Sequence, residues 1–113
     1  MKVLVFNKNE KTRMVVGQLL KELSFNVILA ETEEQLLDSM KNEALDITFL
    51  DTNSFEDFQH SIDSVLKYKR QSYIILSIEQ DDRYSKTEAL LNGIDDYVYN
   101  DFRLEEISAH FKS

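Results

Sequence analysis

The 113-residue sequence has no cysteine, no proline and no tryptophan, and its glycines are Gly17 and Gly93 alone. Without cysteine there is no disulfide, which agrees with a reducing compartment. A chain of this length buries roughly two-thirds of the surface its unfolded form exposes, so it needs no covalent staple. With so little glycine and proline, the sequence holds no flexible linker, no low-complexity tract and no glycine-rich phosphate cradle. No apolar run approaches the roughly 20 residues of a membrane span, and the opening Met1 to Asn7 is too short for a signal peptide. A soluble, cytoplasmic protein forming a single domain over residues 1–113 is expected. Basic residues are in deficit, 13 against 21 acidic, for a net charge of −8. That balance argues against a domain that grips nucleic acid directly. The nucleophile-elbow, P-loop and dinucleotide motifs are missing, no Cys/His cluster has metal-site spacing, and no enzyme activity is expected. His60 and His110 read as surface or rim residues.

What is present is organised around Asp46 to Ser54. Ile47-Thr48-Phe49-Leu50 is a short, largely apolar run, rich in β-branched and aromatic types, and predicts a buried central strand. It delivers Asp51 to the strand's carboxyl end, where open α/β sheets keep their binding sites. Thr52, Asn53 and Ser54 then form a polar loop. Locally, Asp51 either caps the next turn or serves a site.

In chain order, Lys2–Phe6 predicts a first strand, followed by a turn in which Asn7 or Asn9 caps a helix. Val16, Leu19, Leu20 and Leu23 give that helix one apolar stripe. Gly17 weakens it by about 1 kcal/mol relative to alanine, which points to close packing. A third short strand spans Asn26 to Ala30, and Thr32-Glu33-Glu34-Gln35 matches a capping box ahead of Leu36, Leu37 and Met40. After the central strand, Phe58, Ile62, Val65 and Leu66 mark a helix ending near Lys69. Tyr73–Leu76 is the next strand, with Ser77 at its end. A polar loop, Glu79 to Asp82, leads into a helix through Ala89, Leu90 and Leu91 that stops at Gly93. Tyr97-Val98-Tyr99 is the last strand, and Leu104, Ile107 and Phe111 line a final helix.

Strands and helices alternate five times. Parallel strands need helical crossovers, and both sheet faces must be covered, so the pattern predicts a doubly wound α/β domain. The carboxyl edge of such a sheet collects Asn7, Lys8, Asp51, Asn53, Ser77 and Asn100. Asp95 and Asp96 precede the last strand and fall at the opposite edge.

At this point the chain resembles a receiver domain of bacterial two-component response regulators, over essentially its whole length. The resemblance rests on Lys2-Val3-Leu4-Val5-Phe6, Phe49-Leu50-Asp51, Ile75-Leu76-Ser77 and the run Leu91-Asn92-Gly93-Ile94-Asp95-Asp96-Tyr97-Val98. It implies a flavodoxin-like five-stranded parallel sheet in the order 2-1-3-4-5. It also implies that Asp51 stands at the phospho-acceptor position, Ser77 and Tyr97 at the switch positions, and Asn53 where a backbone carbonyl helps hold magnesium.

The sequence departs from that pattern where the chemistry is concentrated. The acidic pair that binds magnesium is replaced by Asn7 and Lys8, and the lysine after the last strand by Asn100, with Asp101 where proline is usual. The proline- and glycine-containing loop after the phospho-acceptor is also missing. Magnesium is held by oxygen ligands, mainly carboxylates, and neutralises charge on a transferred phosphoryl group. No metal site is expected here; if there is one, Asp51 and Asn53 are its only candidates. Lys8 has two readings: an ammonium paired with Asp51 in the metal's place, or a side chain in water. At ~4 Å and an effective dielectric of ~20, the pair would attract by about 4 kcal/mol before desolvation is subtracted.

The resemblance implies an atypical receiver acting as a regulatory protein-interaction module, without cofactor and independent of aspartyl phosphorylation. The alternative is a conventional receiver, using magnesium, phosphorylated on Asp51 by a histidine kinase and controlling a DNA-binding output domain beyond Ser113. A flavin- or small-molecule-binding domain is the third reading. The first loop, Asn7-Lys8-Asn9-Glu10-Lys11, lacks the hydroxyls and glycines that such a phosphate grip requires. Protein partners are expected, a histidine kinase or output domain among them, with no membrane contact. A weak homodimer through the last two helices and last strand is expected from Leu90, Leu91 and Tyr99, flanked by Lys86, Asp96, His110 and Lys112.

Overall fold

The computed structural model describes residues 1–51, 62–78 and 93–99, with Ile78 and Tyr99 described by backbone alone. Its elements are β1 (Lys2–Phe6), α1 (Glu10–Glu22), β2 (Asn26–Ala30), α2 (Glu33–Asn42), β3 (Ile47–Asp51), α3 (Ile62–Lys67), β4 (Tyr73–Ile78) and β5 (Asp96–Tyr99). All strand pairs are parallel, and the sheet order is β2-β1-β3-β4-β5. This is the doubly wound arrangement expected from the alternation of elements, with the strand order that the family resemblance implies.

Alternation along each strand divides the interior in two. Leu4, Phe6, Leu50 and Leu76 pack with Leu36 and Met40 of α2 and Val65 of α3 on one face. Val3, Val5, Phe49, Ile75 and Val98 pack with Val16 and Leu20 of α1 on the other. Every residue of β3 is buried. That explains its nearly continuous apolar run, because a central parallel strand is covered on both faces. Its one polar interior residue, Thr48, bonds the hydroxyl of Ser72 at 2.7 Å, so the pair is satisfied without water.

Turn chemistry sets where the strands begin and end. Asn9, rather than Asn7, caps α1 by accepting the Thr12 N–H at 3.0 Å. Thr32 caps α2 through the Gln35 N–H at 3.1 Å, but the expected capping box is displaced. The Gln35 side chain accepts the N–H of Glu31 at 2.8 Å instead of that of Thr32. The third helix stops at Lys67, two residues before its predicted end, and the chain turns through Arg70 at φ 52°. Phe58 lies outside the described residues. β4 runs on to Ile78 and β5 begins at Asp96, because Ile75 pairs with Asp96 and Ile78 with Tyr99. Asp95 is fixed at the amino end of β5 by Lys69 at 2.6 Å and by the Ile74 N–H at 2.8 Å. Gly17 is buried, and a methyl there would come within 3.0 Å of the Leu29 side chain, so it does permit close packing of α1 on β2.

The end of α1 is a Schellman motif. Phe25 N–H bonds the Leu20 carbonyl at 3.0 Å and Ser24 N–H that of Lys21 at 2.9 Å, with Ser24 at φ 70°. Gly93 sits at φ 97°, and a methyl added there would lie 3.1 Å from Leu66. The left-handed region costs a residue with a Cβ about 1–2 kcal/mol. Ser24→Gly should therefore stabilise the fold by about 0.5–1 kcal/mol once the freer unfolded chain is included, whereas Gly93→Ala should destabilise it by about 1–2 kcal/mol. Urea unfolding midpoints of the two variants should move in opposite directions.

Candidate functional site

The sheet order reverses direction between β1 and β3, the place where open α/β sheets form a crevice at the carboxyl ends of their strands. Asn7 leaves β1 on one side of that crevice and Asp51 ends β3 on the other. Asn7 is held in line by its N–H to the Ala30 carbonyl at 3.1 Å, which extends the β1–β2 ladder by one bond. Asp51 is in register with Ser77 on β4. The pleat of parallel strands thus gathers three polar residues from three separate stretches of sequence.

Asp51 is only 8% exposed. Its Oδ2 accepts the Nδ2–H of Asn7 at 2.5 Å. The Asn7 Oδ1 in turn accepts the backbone N–H of Asn9 at 2.7 Å. That second bond fixes the orientation of the carboxamide: its oxygen faces the α1 cap, and its nitrogen, a pure donor, faces the carboxylate. Burial raises the Asp51 pKa above its ordinary value of 3.8, and hydrogen bonding from Ser77 and Asn7 opposes the rise.

Lys8 does not pair with Asp51. Its side chain is exposed, no ion pair joins the two residues, and the polar groups acting on the carboxylate are Ser77 and Asn7. Of the two readings of Lys8, the side chain in water is the one observed. A neutral amide, one residue earlier in the chain, bonds the carboxylate instead. The physical reason is local: Asn7 still belongs to the buried end of the β1 ladder, while Lys8 has passed into the solvent-facing turn.

Tyr97 is half-buried and in register with Leu76, and Ser77 is in register with Val98. The two proposed switch residues thus stand on opposite pleats of neighbouring strands. Asn53 and Asn100 lie outside the described residues, as do Lys86, Leu90, Leu91, His110 and Lys112 of the expected dimer face.

Sequence reasoning passed over Arg13. It is buried on α1, donates Nη1–H to the Asn7 carbonyl at 2.7 Å, and pairs through Nη2 with Glu31 at 3.1 Å. The signal was its spacing: 13, 16, 17 and 20 form the buried stripe of α1, so a cation sits at a core position.

A magnesium ion needs several oxygen ligands. Among the described residues, one Asp51 oxygen already receives an N–H, the Asn7 oxygen is taken by Asn9, and no group of three or more acidic, His or Cys side chains converges. The described residues do not by themselves supply such a donor set, and Asn53, the other candidate ligand, lies outside them.

No family model matches the chain. It is 31% identical over 109 residues to the sensory transduction protein LytR of Staphylococcus haemolyticus, an alignment that takes in 95% of this chain and 42% of that protein. The chain thus spans about two-fifths of the length of this curated relative. Among solved structures, a response regulator from Thermotoga maritima superposes with a TM-score of 0.82 at 21% identity, covering 98% of this chain and 93% of that one. An orphan response regulator of H. pylori gives 0.84 at 17%, covering 99% and 93%. Fold and site together define a flavodoxin-like domain with a carboxylate at its switch point. More particularly, the fold is the one that CheY-like receiver domains of response regulators share.

The raised pKa makes Asp51 a pH-dependent element of stability. The folded state holds this proton more tightly than the unfolded state does. The resulting stability is fully present below the ordinary value of 3.8 and is lost as pH rises through the folded pKa. Asp51→Asn removes the charge and keeps an acceptor for Asn7. It should be more stable than the wild type at neutral pH, with the difference shrinking towards acid, as urea midpoints of both proteins across a pH series would show.

Proposed function

We propose that this receiver domain regulates partner proteins by surface contact, without magnesium-dependent phosphorylation of Asp51. The observation that carries the reading is the Asn7–Asp51 hydrogen bond. In phosphoryl transfer, the metal neutralises charge on the transferred group and orients it. An amide N–H can satisfy the resting carboxylate, but it contributes no ligand oxygen and carries no full charge. Exposed Lys8 adds a positive charge at the rim, which opposes the approach of a cation. Asn100, where receivers carry a lysine, is uncharged. Asp51 in this reading is a structural centre whose hydrogen bonds hold one conformation. The partners would be a histidine kinase-like protein or an output domain, and the reading includes no direct contact with nucleic acid or membrane. No helix among the described residues is long and apolar enough to cross a membrane.

A second reading keeps phosphorylation. It is favoured by Asp51 ending the central strand in register with a hydroxyl residue, Ser77. There a histidine kinase would phosphorylate Asp51, with magnesium, to control an attached DNA-binding domain.

The readings separate on chemistry. The wild type should show no saturable magnesium binding at millimolar concentrations and no acyl phosphate after treatment with small phosphodonors, read by intact-mass spectrometry. Asn7→Asp with Lys8→Asp should recover metal binding but little phosphorylation. Adding Asn100→Lys should recover measurable adduct, because metal and ammonium act on the same developing charge. A phosphate adduct on the unaltered protein, abolished by Asp51→Asn, would overturn the first reading in favour of the second.

A further inference from the structure

A buried guanidinium has five N–H donors to satisfy and a charge that is costly to desolvate, so its partners reveal what it is there to hold. Arg13 spends its fork on the ends of two different strands. Nη1 donates to the carbonyl of Asn7, just past β1, at 2.7 Å. Nη2 meets the carboxylate of Glu31, just past β2, at 3.1 Å. The Arg13 side chain is 9% exposed and that of Glu31 55%. Neither group touches Asp51. The residue they constrain does so directly, because the peptide that presents its carbonyl to Arg13 carries the carboxamide bonded to Asp51.

We propose that Arg13 is the positioning residue of this site: by bridging the Asn7 carbonyl and Glu31, it sets the turn after β1 so that the Asn7 carboxamide is presented to Asp51. The contacts form a continuous relay, from a solvent-exposed carboxylate just past β2, through a buried cation on α1, to a buried carboxylate on β3. The arrangement needs the planar fork of arginine. A lysine carries the same charge as a compact ammonium and is not built to bridge both partners in fixed geometry. The proposal rests on the reading of Asn7 as the group that satisfies Asp51. The magnesium and phosphodonor measurements decide that reading independently.

The test reads the Asn7 carboxamide itself. In the wild type, the Nδ2 protons should be protected from solvent exchange by their bond to a buried carboxylate. Arg13→Met should speed that exchange by about tenfold or more, the worth of a charge-assisted hydrogen bond, while the backbone amides of β3 stay protected. Arg13→Lys, which keeps the charge and one contact, should give intermediate exchange. Glu31→Ala should do the same by removing the anchor without touching Asn7. Wild-type protection in Arg13→Met would overturn the proposal, and so would full protection in Arg13→Lys, since charge alone would then suffice. If Arg13→Met does not fold, the Lys and Ala variants still decide: unchanged exchange in both refutes the bridge.

Discussion

A carboxylate that is 8% exposed, at the end of a strand buried on both sides, is the constraint on which this site depends. Burial disfavours its ionised form, and only hydrogen bonds or an opposite charge can offset that. In this chain the compensation comes from side-chain hydrogen bonds. Asn7 donates an N–H, Ser77 adds a hydroxyl, and the nearby cation, Lys8, remains in solvent. Such a site is self-contained, because the carboxylate is satisfied by groups the fold itself supplies.

That compensation requires the loops to be as well placed as the strands. Asn7 reaches Asp51 only because its backbone is tied to Ala30 on one side and to Arg13 on the other, with its own oxygen held by the α1 cap. The cap, the buried stripe and the edge strand β2 therefore all bear on one carboxamide. Elsewhere the same economy appears at the amino edge of the sheet, where Asp95 accepts from the Ile74 backbone and pairs with Lys69. It orders the entry to β5 and is separated from the Asp51 site by the length of the strands.

The receiver fold accommodates this because its architecture depends on apolar alternation and not on the identity of its site residues. The two cores are built from apolar side chains on opposite pleats, and no site residue contributes to either. Asn7 and Lys8 thus occupy the turn after β1 with the sheet pairing of β1 intact. The same separation explains how identities near 20% coexist with close superposition on solved receivers.

The sequence by itself determined the sheet, its five strands and the carboxyl-edge position of Asp51 and Ser77. These follow from periodicity and backbone conformation, both of which are local properties. Tertiary structure alone decided which neighbour meets Asp51. Asn7 and Lys8 are adjacent polar residues in one turn, and no local rule says which faces inward. The outcome follows from the last bond of the β1–β2 ladder, to Ala30, and from the buried Arg13 that grips the Asn7 carbonyl. It also decided that the Gln35 side chain reaches Glu31 rather than Thr32, and that β5 opens at Asp96, where pairing with Ile75 sets the register. In each case the deciding partner lies on another segment or in the exact geometry of a turn, and spacing along the chain carries no record of either.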